Sequence, residues 1–193
     1  HRVDPRFPLV VAANRDEFHA RETQPAHWWD DDGGILAGRD LRAGGTWMGI
    51  SRAGRFAALT NYRDPLKHRD DARSRGFLVS AFLKSAVNAM TYLQQLALDA
   101  QGYNGFSLLD HDGASLAFYS NRATHAGNAH GAPSRVSPGV HGLSNHLLDT
   151  PWPKVEEGKL DMLTILSRGA PSPAPLLGLL DQRHSADDAR LPD

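Results

Sequence analysis

Three stretches of this chain combine small residues, polar side chains including an asparagine, and an expected strand end. They are Asn14-Arg15-Asp16-Glu17 after Leu9-Val10-Val11-Ala12-Ala13, Asn61-Tyr62 after Ala57-Ala58-Leu59-Thr60, and Asn145 after Gly142-Leu143-Ser144. An amide at a strand end donates into a developing oxyanion without titrating. The first stretch adds a guanidinium and two carboxylates. Charges at the mouth of a buried strand are costly unless paired or used. These charges therefore suit either a reactive site or an ion pair that closes the strand, and each asparagine suits either a donor or a turn residue satisfying its own backbone.

Elements must hold these residues. The uninterrupted run Leu9 to Ala13 predicts a strand buried on both faces. If that strand continues to Glu17, Asn14 and Asp16 point one way and Arg15 and Glu17 the other. Ile35 to Gly38 and Thr46 to Ser51 read as strands. Arg52-Ala53-Gly54 is a tight turn into Arg55 to Asn61. Ser74 to Ser85 reads as a helix with Phe77, Leu78, Ala81 and Phe82 on one face. Asn88 caps a second helix, striped by Tyr92, Leu93, Leu96 and Ala97, which Gly102 ends. Phe106 to Leu109 and Ser115 to Ser120 form a hairpin, and Val140 to Ser144 is a short strand. Thr150-Pro151-Trp152-Pro153 opens a helix running to about Ser167, and Leu176 to Asp181 is a short helix. Arg21 to Asp32, the charged segment Asp64 to Arg75, and Asn121 to Ser137 read as loops. Strands and helices segregate, which predicts an α+β layered fold.

The 193 residues fit one domain with a full core. A net charge of −1 from 21 basic and 22 acidic residues gives no footprint for nucleic acid. No apolar run is long enough for a membrane-spanning helix, and composition favours the cytoplasm. The absence of Cys removes disulfides, zinc thiolates and a thiol nucleophile from this chain. Four of the ten His residues, His125, His130, His141 and His146, are scattered without a helix to set two on one face, so neither metal nor cofactor is expected. Ser144, His146 and Asp149 fall within six residues and lack a nucleophile elbow, so they do not read as a triad. The opening at His1 without Met and the loop-like close at Pro192-Asp193 read as a piece of a longer protein, truncated at both ends.

These motifs together carry a resemblance. Val11-Ala12-Ala13 followed by Asn14-Arg15-Asp16-Glu17 is similar to the signature of the NRDE family, the transport and Golgi organisation 2 homologues. Gly44 to Ile50, Ala57 to Tyr62, Arg73 to Gly76, Tyr103-Asn104-Gly105-Phe106, Gly142 to Asn145 and Thr150-Pro151-Trp152 resemble that family in the same order. The pattern in turn resembles N-terminal-nucleophile hydrolases of the bile-salt and penicillin amidase kind. It implies a four-layer αββα sandwich of two stacked antiparallel sheets, here a single domain over residues 1–193, incomplete at both ends.

In such enzymes an N-terminal Cys attacks an amide and its own α-amine acts as base. The resemblance implies that Asp16 orients that amine, that Asn61 gives a backbone N–H and Asn145 a side chain to the oxyanion hole, and that Arg15 braces the site. Asn14, Glu17, Tyr62 and Trp47 are the expected substrate contacts. The implied reaction is Cys-dependent cleavage of a non-peptide C–N or acyl bond. This chain holds neither the Cys nucleophile nor the further catalytic Arg that the resemblance implies, so these residues alone are expected to be inactive. The expected partner is a small amide, acyl or haem-like molecule, and the competing expectation is a carrier that binds an acyl lipid or haem-like ligand without turnover.

Overall fold

The computed structural model describes residues 1–17, 20–123 and 131–181. The chain divides into two compact units. Of the described residues, one comprises 1–16, 137–144 and 148–181; the other comprises those within 17–136 together with 145–147.

The described residues of the second unit form a seven-stranded antiparallel sheet in sequential order: β1 (Thr23–Trp28), β2 (Ile35–Asp40), β3 (Met48–Ser51), β4 (Phe56–Asn61), β5 (Phe106–His111), β6 (Leu116–Ser120) and β7 (Ser134–Arg135). Helices α1 (Gly76–Lys84) and α2 (Ala89–Ala97) lie between β4 and β5 in sequence. Strand alternation sends Ile35, Ala37, Ala57, Leu59, Phe106, Leu108, Ala117 and Tyr119 to the face covered by Leu78, Val79, Phe82, Leu83 and Leu93 of the helices. The cross-strand row Met48, Ala58, Leu109 and Phe118 lies on the opposite face.

Local chemistry sets the helix ends. Asn88 Oδ1 accepts from the Thr91 N–H at 2.9 Å, starting α2. At the end of α1, the buried Arg55 donates to the carbonyls of Phe82 at 3.2 Å and Val87 at 2.6 Å while lying over the Phe82 ring. The start of α1 meets the backbone before β3 directly. A methyl group on Gly45 would sit 2.5 Å from the Gly76 carbonyl carbon, so only glycine allows this approach. The Thr46 N–H donates to Gly76 O at 3.2 Å.

The first unit contains α3 (Pro153–Ser167) and α4 (Pro173–Leu180). Asp149, at φ 57°, closes a loop with Gly142 through reciprocal bonds: Asp149 N–H to Gly142 O at 2.8 Å and Gly142 N–H to Asp149 Oδ1 at 3.0 Å. His141 Nδ1 and Lys159 Nζ approach the same carboxylate at 2.6 and 2.7 Å.

The α+β class and antiparallel pairing agree with the sequence, but several details do not. Leu9 to Ala13 is no strand: it carries no ladder, and Val11 is 42% exposed. An apolar run becomes a strand only where neighbours accept its backbone bonds, and none among the described residues does so. The alternation expected for Asn14 to Glu17 loses its basis with it. The described residues form one sheet where two stacked sheets were expected. Val140 to Ser144 is irregular because its backbone is committed to the loop closed by Asp149. The segment read as an irregular loop contains β1, an edge strand whose Pro25 lies where the register shifts between Gln24 and His27. Finally, α1 buries Leu78, Val79, Phe82 and Leu83 and leaves Phe77 exposed, one position round from the expected face. The glycine contact at its first residue fixes that rotation.

Candidate functional site

The ends of β4 and β5 gather polar groups. Leu59 N–H donates to Trp47 O at 2.8 Å and Tyr62 N–H to Gly105 O at 3.0 Å. The alternation of an antiparallel strand then points the N–H and C=O of Asn61 toward the β3 side, past the start of that strand. Residue 145 occupies this edge. Its side-chain amide donates to Asn61 O at 3.2 Å, and its carbonyl accepts from the Arg63 N–H at 2.7 Å. Asn61 and Asn145, 84 positions apart, thus share one strand edge.

The next residue is held as firmly. The His146 carbonyl accepts from Ser107 Oγ at 2.7 Å, and its Nε2 lies 2.6 Å from the Tyr62 hydroxyl, with ring centroids 4.6 Å apart. Burial lowers the His146 pKa. Burial, with the charge of Asp64, raises that of Tyr62 against the opposing charge of Arg122. Both shifts favour a neutral phenol bonded to a neutral imidazole near pH 7.

Gly105 joins this edge to a cluster of arginines. Its carbonyl accepts from Arg75 Nη1 at 2.8 Å as well as from Tyr62. A methyl group on Gly105 would meet Tyr62 Cβ at 3.1 Å and Arg122 at 3.3 Å. Arg122 pairs with Asp64 at 3.1 Å, and Arg21 pairs with Asp40. Burial, with the positive charges of Arg21 and Arg122, lowers the Arg75 pKa, while Glu17 opposes the shift.

The sequence-based candidates are therefore distributed unequally. Asn61, Tyr62 and Asn145 come together in the second unit. Trp47 is half-buried before β3 and gives its carbonyl to the ladder. Glu17 begins the same unit and lies 3.8 Å from Arg21. Asn14, Arg15 and Asp16 are exposed residues of the first unit, where the Asn14 amide donates to Leu180 O at 2.8 Å. In Ser144-Asn145-His146, the His146 ring faces Tyr62; Asp149 faces His141 and Lys159. Asp31 and Asp32 pair with Arg39 and Lys84.

His146, Ser107, Arg75 and Arg122 were not singled out from sequence as site residues. The available signals were Arg75 directly before the close-packed Gly76, and Gly105 at the entry to a strand. Among the described residues, no helix is long and apolar enough to cross a membrane.

Comparison with known proteins matches the sequence of this chain to a family. The family model described as "Transport and Golgi organisation 2" matches residues 1–193. The Bos taurus Transport and Golgi organization protein 2 homolog is 39% identical, with 100% of this chain and 72% of the relative covered. The Homo sapiens homolog is 39% identical over the same shares. The Drosophila melanogaster Transport and Golgi organization protein 2 is 31% identical over 92% of this chain and 68% of its own length.

Proposed function

Because this chain belongs to the Transport and Golgi organisation 2 family, we propose that it supplies the oxyanion-stabilising part of a hydrolase acting on a non-peptide amide or related acyl bond. The Asn61 N–H and the Asn145 side-chain amide receive the carbonyl oxygen as a nucleophile adds to the carbonyl carbon. Collapse of the tetrahedral intermediate then expels the amine. The observation that carries this reading is the bond from the Asn145 amide to Asn61 O at 3.2 Å. It holds a donor at the strand edge in a long bond that an oxyanion can displace. The roles of Asp16, as the carboxylate orienting the nucleophile's amine, and of Arg15, as a brace, rest on the family resemblance alone. The sheet is proposed as one half of an αββα sandwich, supported by its second apolar face at Met48, Ile50, Leu109 and Phe118.

That face, with Ile50 44% exposed, also favours a second reading: a carrier that binds an acyl chain or haem-like ligand without turnover. The relatives' names, which speak of transport, fit it. The deciding experiment assays the full-length gene product on a panel of N-acyl amino acids, with Asn145→Ala beside wild type. The expected loss in kcat is about 10²–10³-fold with little change in melting temperature. Unchanged turnover in the variant removes the oxyanion role. Binding of fatty acyl probes without turnover by the wild type selects the carrier.

A further inference from the structure

We propose that Arg75 is the anchor for a carboxylate on the ligand, so that the molecule handled at the Asn61–Asn145 edge is an acyl compound bearing a free carboxylic acid. The inference rests on the functional reading above for where the acyl group lies. It rests on the arginine cluster for the acid.

Arg75 Nη1 donates to Gly105 O at 2.8 Å. Among the described residues no carboxylate lies within salt-bridge distance of its guanidinium, although the side chain is largely withdrawn from water. Its charged neighbours are otherwise engaged. Arg21 is taken by Asp40 and Glu17, and Arg122 and Lys67 share Asp64. A desolvated cation beside like charges, held by one carbonyl, is an expensive arrangement. A planar guanidinium with donors to spare matches the two oxygens of a carboxylate.

The count of charges narrows the ligand class. Among the described residues, Arg21 is met by Asp40 and Glu17 and Arg122 by Asp64, which leaves the guanidinium of Arg75 for the ligand, and a single guanidinium suits a monoanionic carboxylate. Position also matters. The Gly105 carbonyl that receives Arg75 receives the Tyr62 N–H too, and Tyr62 follows Asn61. Arg75 therefore sits one strand pair from the proposed oxyanion donors.

The test is calorimetric titration of the full-length protein with N-benzoylglycine, its carboxamide N-benzoylglycinamide, and phenyl phosphate. Wild type is expected to bind the acid at least about tenfold more tightly than the amide, and more tightly than the phosphate. Arg75→Gln should abolish the preference for acid over amide, and Arg75→Lys should keep part of it. Equal binding of acid and amide by wild type, no binding of either at millimolar concentration, or an unchanged preference in folded Arg75→Gln overturns the proposal. A stronger affinity for phenyl phosphate overturns the carboxylate assignment. The acid–amide comparison uses wild type and so decides the matter even where Arg75→Gln fails to fold. Asn145→Ala separates the two readings. It should leave the acid preference intact, since the oxyanion forms only during reaction. Lost turnover with retained preference supports both readings; retained turnover with retained preference rejects the oxyanion role and leaves the anchor standing.

Discussion

The Tyr62 hydroxyl lies 2.6 Å from Nε2 of His146, and the His146 carbonyl in turn accepts from Ser107. Ser107 of β5 and Tyr62, just past the end of β4, therefore hold the irregular segment around His146. Burial lowers the His146 pKa, so the folded protein resists protonating it while the unfolded chain titrates normally at 6.5. The unfolded state then binds more protons below that value. The His146 contribution is complete above pH 6.5 and declines as pH falls through the unfolded value toward the folded one. Thermal melts of wild type and His146→Gln between pH 5 and 8 should show a difference that shrinks on the acid side. Parallel profiles would reject this assignment.

Asp110 lies on the helix-facing side of β5 with both oxygens buried and no hydrogen-bond partner among the described residues. Burial pushes its pKa well above the ordinary carboxylate range, against the attraction of Arg55. The folded state holds the proton more tightly than the unfolded chain, so stability falls as pH rises from about 4 toward the folded pKa. Asp110→Asn should stabilise the fold at neutral pH and flatten that dependence. Urea titrations at pH 4 and pH 7 measure it, and a variant less stable than wild type at pH 7 contradicts the assignment.

Asp112 joins the β5–β6 turn to the start of α2. Its carboxylate accepts from the Ala89 N–H at 2.9 Å and from the N–H groups of Ala114 and Ser115 at 3.0 and 2.8 Å. Burial works to raise its pKa, but these bonds outweigh burial and bring it down to about 2. The resulting stability is present above pH 3.8 and lost as pH falls through about 2. Asp112→Ala should cost about 1–2 kcal/mol at pH 7, typical of a lost helix cap. Denaturant melts at pH 7 and pH 2.5 should show a smaller cost at the lower pH.

Gly45→Ala places a methyl group 2.5 Å from backbone, while Gly105→Ala meets side chains at 3.1 Å or more. Backbone yields less than side chains. Gly45→Ala should therefore be the more damaging, at about 1–3 kcal/mol. Guanidinium melts of both variants rank them, and equal costs would show that α1 can shift away from β3.

What sequence revealed of the fold depended on how local its cause was. The hairpins after Gly54 and Gly113, the Asn88 cap and the proline-started α3 each answer to a few neighbouring residues, and the structure places them within about two residues of expectation. Leu9 to Ala13 reads as a strand by composition, but a strand needs partners, and composition does not state them. The sharing of one edge by Asn61 and Asn145 follows from β4 running on past the start of β3, a matter of relative strand length that no motif encodes. Arg75 lay within a segment that reads as charged loop. Its importance comes from what surrounds it in space.

The sequential order of the sheet has a kinetic consequence. Strands β1 to β4 can pair as successive hairpins, and so can β5 to β7, because each neighbour is close along the chain. Only the β4–β5 ladder must close over residues 62–105, which contain both covering helices. Loop closure of that length is paid before the ladder returns anything, so this seam should be the late, rate-limiting event in assembly. Asn61 opposite Phe106 and Tyr62 bonded to Gly105 lie at the end of that seam. A partly assembled chain with both hairpin sets formed would hold most of the sheet and none of the proposed chemistry.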